Sequence, residues 1–401
     1  MMPSLASPST AASNAPRARS TGIRPHLLLV ITEDWYYWSH RRAVAQAALE
    51  AGYRVTLASR FADHRARIEA DGVETADIRM RRSGRNPLGE AAAVADLARL
   101  YRRLRPDVVH HVAIKPVLYG SVAARAARVP GVVNAVSGLG YAFTGRGPAA
   151  AVFGAFARVA YRVALRGPRT WTIFQNDDDR QHFVRLGLVR PERTVLIAGS
   201  GVDLSRFRPV PEPPGVPAVL YAGRMLWSKG VGDLVEAVRR LRADGVAVRL
   251  VLAGHSDTDN PEAIPDAQLR AWAASGDAEW DGRTDDVAAA MAAAAIIVLV
   301  SEREGVPKVL VEAAGAGRAI VATNVPGCRD VVSDGVNGRL VPVHDPAALA
   351  AALGELLADP ALRASMGAAS RRRAEAEFAE PIVVGQTLAT YRRALAATSA
   401  P

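Results

Sequence analysis

Short, unbroken runs of apolar and β-branched residues alternate with longer helical patterns along most of this chain. The first runs are HLLLVIT (26–32), RVTLAS (54–59), DVVHHVA (107–113) and GVVNAVS (131–137), and helical patterns lie near 39–51 and 88–105. A strand that is apolar at every position is buried on both faces, and strands that alternate with helices pair in parallel. The alternation therefore predicts an α/β fold with parallel sheets covered by helices on both sides.

A proline-rich segment, FRPVPEPPGVPA (207–218), interrupts this alternation. It restarts with VLYAGRM (219–225), VRLVLAG (248–254), AIIVLVS (295–301) and AIVAT (319–323). At 401 residues the chain is long enough for two domains. We predict two doubly wound domains, at 24–207 and 208–381, with a C-terminal helix at about 382–401 packing back on the first. Ligand is expected in the cleft where the carboxyl ends of both sheets meet.

The N-terminal composition, the lengths of the apolar stretches and the cysteine content limit the class of protein that this chain can be. Residues 1–23 are rich in Ser, Ala and Pro and lack an apolar core, so we predict a disordered leader rather than a signal peptide. No stretch approaches the roughly 18 uncharged apolar residues of a membrane span. The single cysteine, Cys328, excludes an internal disulfide and favours a reducing compartment.

The net charge of +10 is unevenly distributed. Residues 1–207 hold 30 Lys and Arg against 16 Asp and Glu, whereas the remainder holds 20 against 24. A basic half attracts nucleic acid, anionic lipid or phosphorylated ligands. Solvated surface in an arginine-rich protein is the alternative, since the chain has only three lysines. Nucleic acid is disfavoured because basic and aromatic residues are not interleaved.

The segment SEREGVPKVLVEAAGAG (301–317) places Glu304 and Glu312 on either side of a glycine–proline turn. Proline is favoured at a first helical position, so we expect a helix to begin near Pro307. Its N–H groups form an anion site, which Gly305 lets a phosphate approach closely. The two acids could instead only complement the helix dipole. The residues predicted to line the phosphate site are Gly305, Val306, Pro307 and Lys308.

A second segment, YAGRMLWSKG (221–230), carries Arg224 and Lys229 just after a predicted strand. Two cations at the carboxyl edge of a sheet suit a diphosphate, and each charge-assisted bond is worth about 1.5–3 kcal/mol. Taken alone, the pair is equally compatible with two exposed basic residues.

These segments, together with NVPGCRDVVSDGVNGRLVP (324–342), AGSGVDLSRFRP (198–209) and GRTDDV (282–287), resemble the retaining GT-B glycosyltransferases of family 4. The resemblance runs from about residue 25 to 395 and implies two Rossmann-like domains that face a cleft. It implies that Arg224 and Lys229 hold the donor diphosphate and act in catalysis with Glu304, which binds the sugar hydroxyls. It also implies that Glu312 binds the ribose and that Arg283 lies near the donor base.

The first domain narrows the resemblance. HHVAIKPVLYGSVAARAARVPGVVNAVSGLGYAFT (110–144) and IFQNDDDRQHF (173–183) resemble transferases that extend lipid-diphosphate-linked sugars for capsule, O-antigen or glycoprotein glycans. Lys115 follows a buried strand and is a candidate counterion for a phosphate, or else a snorkelling surface lysine. The candidates on this acceptor side are Lys115, Ser137, Gly138 and His40.

Two segments depart from the wider family. Its Gly-Gly loop after the first strand is TEDWYYWSH (32–40) here, and its His-Gly pair is Ser137-Gly138. We therefore assign no catalytic histidine: His40, His110 and His111 are each as compatible with a structural role.

The segment VFGAFARVAYRVALRG (152–167) places three arginines on one helical stripe. They could lie on an anionic membrane, or the helix could simply cover the first domain. The stripe consists of Arg158, Arg162 and Arg166, and the apolar residues predicted towards the other side are Phe153, Phe156, Val159 and Val163.

Together these features and the resemblance predict a cytoplasmic enzyme on the inner face of the membrane. We expect it to move a hexosyl or N-acetylhexosaminyl group from a nucleoside diphosphate sugar to a lipid-diphosphate-linked saccharide. The nucleotide is expected to be UDP, from its frequency in the family. We expect no cofactor and no metal, because no acidic segment resembles the Asp-x-Asp loop of metal-dependent sugar transferases. A non-catalytic sugar-nucleotide-binding or scaffold protein is the main alternative. A glycosidase that uses Glu304 and Glu312 as its two carboxylates does not account for the cations. A nucleotide-sugar epimerase shares the architecture, but the segment 110–144 does not suggest one.

Overall fold

The structure is a computed structural model that describes residues 24–80, 87–136, 148–258, 260–280, 282, 284 and 286–396. It contains two parallel sheets, whose strands lie on either side of the proline-rich segment at 207–218. This arrangement confirms the α/β class predicted from the alternation of strands and helices.

Within the described residues, the first sheet has seven strands with helices between them. Its strands are β1 His26–Glu33, β2 Arg54–Arg60, β3 Glu74–Asp77, β4 Val108–Val112, β5 Gly131–Val136, β6 Thr170–Phe174 and β7 Thr194–Leu196. Its helices are α1 Asp34–His40, α2 Arg42–Glu50, α3 Arg65–Ala70, α4 Pro87–Leu104, α5 Ile114–Ala127, α6 Pro148–Leu165 and α7 Asp177–Arg185, with a 3-10 turn at Pro191–Arg193.

The second sheet, in the part of the chain that the structure describes, has six strands. They are β8 Ala218–Ala222, β9 Arg249–Ala253, β10 Glu279–Trp280, β11 Ile296–Leu299, β12 Ala319–Thr323 and β13 Gly338–Val341. The helices are α8 Val231–Ala243, α9 Asp266–Ala274, α10 Val287–Ala292, α11 Lys308–Gly315, α12 Cys328–Val331, α13 Pro346–Ala358, α14 Pro360–Arg373 and α15 Glu380–Ala396, with a 3-10 turn at Trp227–Lys229 and a π-helical turn at Ala374–Phe378.

Strand order gives both sheets the same winding. The first runs β3-β2-β1-β4-β5-β6-β7 and the second β10-β9-β8-β11-β12-β13, and the paired strands are parallel. In each sheet the chain begins at a central strand, β1 or β8, and winds outward to one edge. It then returns to the other side of that central strand and winds towards the opposite edge. Such a reversal opens a crevice outside the carboxyl ends of the strands, which is where ligands bind in open α/β sheets.

Strand β1 shows why these sequences are apolar without interruption. Leu27, Leu29 and Ile31 belong to a buried cluster on one face of the sheet, whereas Leu28 and Val30 belong to another cluster on the opposite face. Because successive side chains point to opposite faces, a strand covered on both sides must be apolar at every position.

The last helix, α15, returns to the first domain. Tyr391 is fully buried there, and its hydroxyl lies 2.6 Å from Nδ1 of His110 in β4. The chain crosses back beside Val202, whose N–H donates to the Phe378 carbonyl at 2.9 Å. The C-terminal segment thus links both domains, with its helix on the first.

Candidate active site

Lys229 and Glu304 meet where β8 and β11 end. The Lys229 ammonium donates a hydrogen bond to Oε1 of Glu304, and the two side chains are 21% and 13% exposed. The loops that carry them are also joined through the backbone, since the Glu302 N–H donates to the Ser228 carbonyl at 3.0 Å. The structure therefore brings together a predicted diphosphate ligand and a predicted sugar ligand.

Gly230 makes this meeting possible. Its φ is +70°, and a Cβ atom there would lie 2.3 Å from the Val300 carbonyl oxygen. Only glycine tolerates both the left-handed backbone and so close an approach. The residue after Lys229 thus rests directly on the end of β11, beside the loop of Glu304.

Arg224 lies on the same edge and has a carboxylate partner. Its Nη1 donates to Oδ2 of Asp257 at 2.9 Å, and its carbonyl accepts a hydrogen bond from the buried Tyr221 hydroxyl at 2.7 Å. Burial raises the pKa of Tyr221, reinforced by the charge of Glu304. Asp257 was not among the residues predicted from the sequence, although it stands in an acidic run, SDTDN (256–260), shortly after β9.

The start of α11 differs from its prediction by one residue. Pro307 is the N-cap, with φ −72° and ψ 121°, so the first helical residue is Lys308. The ammonium of Lys308 donates to Oε1 of Glu312 one turn later, and Glu312 is only 7% exposed. Glu304 and Glu312 are therefore both bound to lysines.

Gly327 brings a third segment against this loop. A Cβ atom at Gly327, where φ is +80°, would lie 1.4 Å from the Gly305 carbonyl oxygen. The adjacent Cys328 is fully buried, and burial raises the pKa of its thiol. The glycine in NVPGCRD (324–330) is therefore required for the backbone of the 301–307 loop to fit against its neighbour.

His40 is a first-domain residue that faces the start of α11. Its ring stacks on Tyr36 at a centroid distance of 4.2 Å, and Ser39 Oγ lies 2.6 Å from its Nδ1. Burial lowers the pKa of His40 to about 3, with further contributions from the charges of Lys308 and Arg41. Its imidazole is therefore neutral at physiological pH, and the charge of Lys308 at the predicted phosphate site contributes to that neutrality.

The other acceptor-side candidates are not assembled with it. Lys115 is bound to Glu90 of α4 at 2.7 Å, so its charge is matched within the first domain. Ser137 and Gly138 lie outside the described residues, as does Arg283 on the donor side.

His110 and His111 are fully buried core residues rather than cleft residues. His111 Nδ1 lies 2.8 Å from the Asn134 side-chain oxygen and its Nε2 3.0 Å from the Tyr101 hydroxyl. Burial lowers the pKa of His111 to about 4 and that of His110 well below its usual value. Of the alternatives left open for these two histidines, the structural role fits the geometry.

A set of contacts between the domains was not foreseen in the sequence. Asp179 of α7 binds Arg303 at 2.7 Å, and Gln175 Oε1 accepts a hydrogen bond from the Val306 N–H at 2.9 Å. The side chain of Asn176 donates to the Gly305 carbonyl at 3.4 Å. All three first-domain residues belong to the IFQNDDD segment (173–179), for which the sequence suggested no individual role.

Helix α6 departs from its predicted pattern. Val159 and Val163 are 62% and 44% exposed, on the side predicted for the arginines rather than opposite to it. The inward side consists of Ala157, Tyr161, Ala164 and Leu165, while Arg158, Arg162 and Arg166 are exposed. The side chains of Phe153 and Phe156 lie outside the described residues.

In the part of the chain that the structure describes, no three His, Cys, Asp or Glu side chains are grouped so as to hold a metal ion. Among the described helices, none combines the length and apolar character needed to cross a bilayer.

Comparison with known proteins identifies the class of this fold and site. The family described as "Glycosyl transferases group 1" matches residues 216–359, and "Glycosyl transferase 4-like" matches 26–176. The chain therefore belongs to the GT-B glycosyltransferases of family 4. The resemblance inferred from its motifs is confirmed.

Two curated relatives and one solved structure illustrate the membership. An N,N'-diacetylbacillosaminyl-diphospho-undecaprenol alpha-1,3-N-acetylgalactosaminyltransferase of Campylobacter jejuni is 26% identical over 312 residues, covering 75% of this chain and 80% of the relative. An alpha-maltose-1-phosphate synthase of Mycolicibacterium smegmatis is 32% identical over 331 residues, covering 75% and 82%. HepE of Anabaena, crystallised with UDP and glucose, has a TM-score of 0.71 at 18% identity and covers 91% of this chain and 99% of its own.

Proposed function

We propose that this glycosyltransferase moves a hexosyl or N-acetylhexosaminyl group from a UDP-sugar to a lipid-diphosphate-linked saccharide, with retention of configuration and without a metal ion. The observation that carries the proposal is the pairing of Lys229 with Glu304 beside Arg224 at one sheet edge. A diphosphate needs the two cations, and sugar hydroxyls need the carboxylate. The pairs hold these groups in place before substrate binds.

The charges account for catalysis in the proposed reaction. As the glycosidic bond breaks, the departing diphosphate gains negative charge, so Arg224, Lys229 and the N–H groups at the start of α11 bind the transition state more strongly than the substrate. The departing phosphate oxygen takes the acceptor proton on the same face of the sugar, without a protein nucleophile. Glu304 and Glu312 are each bound to a lysine, which disfavours the glycosidase alternative.

A relative supports the choice of acceptor. The Campylobacter jejuni protein is named for transfer to a saccharide on diphospho-undecaprenol, and it aligns over 80% of its length. HepE of Anabaena, whose crystal structure contains UDP and glucose, has the same fold. We infer a UDP-sugar donor and a lipid-linked acceptor for this chain, as part of the synthesis of a cell-surface polysaccharide such as capsule or O-antigen.

A lipid-linked acceptor requires that the enzyme reach a membrane surface, and helices α5 and α6 form a protein face suited to that contact. Arg125 of α5 donates to the Val163 carbonyl of α6 at 2.7 Å, so the two helices form one face. That face exposes valines between arginines. The stretch 108–176, which contains both helices, has eight Lys and Arg but no Asp or Glu, so its charge is entirely positive. Such a surface suits the anionic inner leaflet of the cytoplasmic membrane, and we propose that the enzyme docks there.

Turnover in EDTA tests the proposed reaction. Purified protein is incubated with a panel of UDP- and GDP-sugars and a short-chain polyprenyl-diphosphate sugar, and the product is identified by mass. We expect a gain of one sugar residue, lost in Glu304→Ala and Lys229→Ala. Binding of UDP without transfer to any acceptor would favour the scaffold alternative, and dependence on added Mg²⁺ or Mn²⁺ would contradict the metal-free mechanism.

A soluble sugar phosphate is the second candidate acceptor. It is favoured by the alpha-maltose-1-phosphate synthase of Mycolicibacterium smegmatis, which has the higher identity of the two relatives, 32%. A panel of sugar 1-phosphates in the same assay distinguishes the two acceptors. Faster transfer to a sugar phosphate than to the lipid-linked saccharide would replace the first candidate.

A further inference from the structure

The first domain reaches into the donor side of the cleft through three residues of one segment. Gln175 and Asn176 follow the end of β6, and Asp179 lies in the first turn of α7. Together they contact three groups of the loop at 303–306: the Arg303 side chain, the Gly305 carbonyl and the Val306 N–H. We call Gln175, Asn176 and Asp179 the latch.

The ion pair in the latch is largely withdrawn from solvent. Asp179 is 2% exposed, and its carboxylate accepts hydrogen bonds from Arg303 at 2.7 Å and from the Asn176 side chain at 3.2 Å. Burial raises the pKa of Asp179, and the charge of Arg303 opposes that rise. An ion pair that is buried on its carboxylate side and hydrogen-bonded twice holds its geometry more strictly than an exposed pair.

Asn176 organises the latch from within the first domain. Its side-chain oxygen caps α7 by accepting from the Asp179 N–H at 2.8 Å, while its amide nitrogen donates to both Asp179 and Gly305. One side chain therefore fixes the helix that carries the carboxylate and contacts the opposing loop. This dual role explains why asparagine stands directly before the acidic turn.

Glu304 lies between the two anchored points of the loop. Arg303 precedes it and is held by Asp179, and Gly305 and Val306 follow it and are held by Asn176 and Gln175. The second domain holds Glu304 only through Lys229 among the hydrogen bonds of the described residues. The position of the Glu304 carboxylate therefore depends on contacts supplied by the other domain.

We propose that Gln175, Asn176 and Asp179 are positioning residues that set Glu304 for transfer, so that the donor site is complete only when the first domain is closed upon it. The proposal rests on the function proposed above. Of the predicted phosphate-site groups, the latch contacts the Gly305 carbonyl and already occupies the Val306 N–H. Within the described residues it makes no hydrogen bond to Arg224, Lys229 or the first N–H groups of α11, which leaves these diphosphate ligands in place, so nucleotide affinity and turnover should separate when the latch is broken.

The test compares two neighbouring aspartates that both contact the second domain. Asp179→Asn removes the buried charge, whereas Asp178→Asn alters an exposed pair with Arg329 at 2.9 Å, in which the side chains are 59% and 42% exposed. We expect Asp179→Asn to lower kcat at least tenfold while UDP affinity stays within threefold, and Asp178→Asn to change neither more than twofold. Arg303→Ala should match Asp179→Asn, and the double variant should be no slower than either.

Hydrogen exchange of the 301–310 region gives a readout that does not depend on turnover. We expect Gln175→Ala and Asp179→Asn to speed exchange there, and Asp178→Asn to leave it unchanged. Unchanged kcat, a parallel loss of UDP affinity, additive effects of Asp179→Asn and Arg303→Ala, or unaltered exchange would each overturn the proposal. If the wild-type protein transfers no sugar at all, the proposed function fails, while the exchange comparison still tests the latch itself.

Discussion

The Lys229 ammonium donates a hydrogen bond to the Glu304 carboxylate, joining the loops that follow the two central strands of the second sheet. A cation predicted for the diphosphate and an acid predicted for the sugar thus orient one another before either meets a ligand. Their contributions to binding and to transfer should be separable by mutation.

Lys229→Ala should weaken UDP binding by about 10- to 100-fold, because a charge-assisted bond to phosphate is worth about 1.5–3 kcal/mol. Glu304→Gln should leave UDP affinity within about threefold and lower the transfer rate by a similar 10- to 100-fold. Calorimetric titration with UDP and a turnover assay measure the two effects. Arg249→Ala, which alters an exposed pair with Glu279, serves as the control; equal losses of UDP affinity in the Lys229 and Arg249 variants would contradict the assignment.

Gly230→Ala should destabilise the second domain by more than about 3 kcal/mol. The left-handed backbone alone costs an L-residue about 1–2 kcal/mol, and the new Cβ would also meet the Val300 carbonyl at 2.3 Å. Gly245 is the matched control, since its φ is +80° but a Cβ there meets nothing within 4 Å. Thermal unfolding should show a far larger drop for Gly230→Ala than for Gly245→Ala; equal drops would mean that the approach to Val300 is not tight.

Acid should destabilise the first domain before its carboxylates titrate. His111 has a folded pKa of about 4 against a usual value of 6.5, so between these values the unfolded state binds more protons than the folded state. Stability therefore falls as pH decreases from 6.5 towards 4, by about 2 kcal/mol for this group at pH 5. His111→Gln should flatten the dependence of the unfolding midpoint on pH between 7 and 5. An unchanged slope would show that His111 is protonated in the folded state.

Charge reversal on α6 tests the proposed membrane face. Arg158→Glu with Arg162→Glu should weaken binding to vesicles containing anionic lipid at least tenfold, because each basic residue near such a surface contributes about 1 kcal/mol. The control, Arg240→Glu with Arg249→Glu, makes the same change in net charge on exposed arginines of the second domain. Equal effects of both double variants in a vesicle sedimentation assay would indicate that only net charge matters.

Features that depend on residues close together in the chain, such as strands and the turns that follow them, can be predicted from the sequence. The strands are evident because burial on both faces makes every position apolar. Lys229 and Glu304 were assigned roles through the family resemblance of their segments, and the structure places the two side chains together. Contacts between distant segments are not evident. Asp179 and Arg303 are 124 residues apart, and nothing near either residue indicates that they meet.

The sequence does not show which way the side chains of Lys115, Val159 and Val163 point. The sequence placed Lys115 correctly after a buried strand, but only the structure shows that Glu90 of the neighbouring helix binds it. Val159 and Val163 are apolar and were predicted to face away from the arginines, yet smaller alanines and Tyr161 occupy the inward side of α6. Ala157, Tyr161, Ala164 and Leu165 repeat at the spacing of one helix face, and the prediction assigned the apolar side to the valines instead.

The three lysines of this chain, Lys115, Lys229 and Lys308, each bind a glutamate: Glu90, Glu304 and Glu312. Amine-selective acylation, whether by a laboratory reagent or by cellular acetylation, can therefore reach no more than three side chains, and two of them line the candidate donor site. Whereas acylation usually scatters label over a protein surface, here it would neutralise the donor side of the cleft. A bound nucleotide would shield Lys229, so the extent of labelling at one mass-resolved peptide would report occupancy of the site.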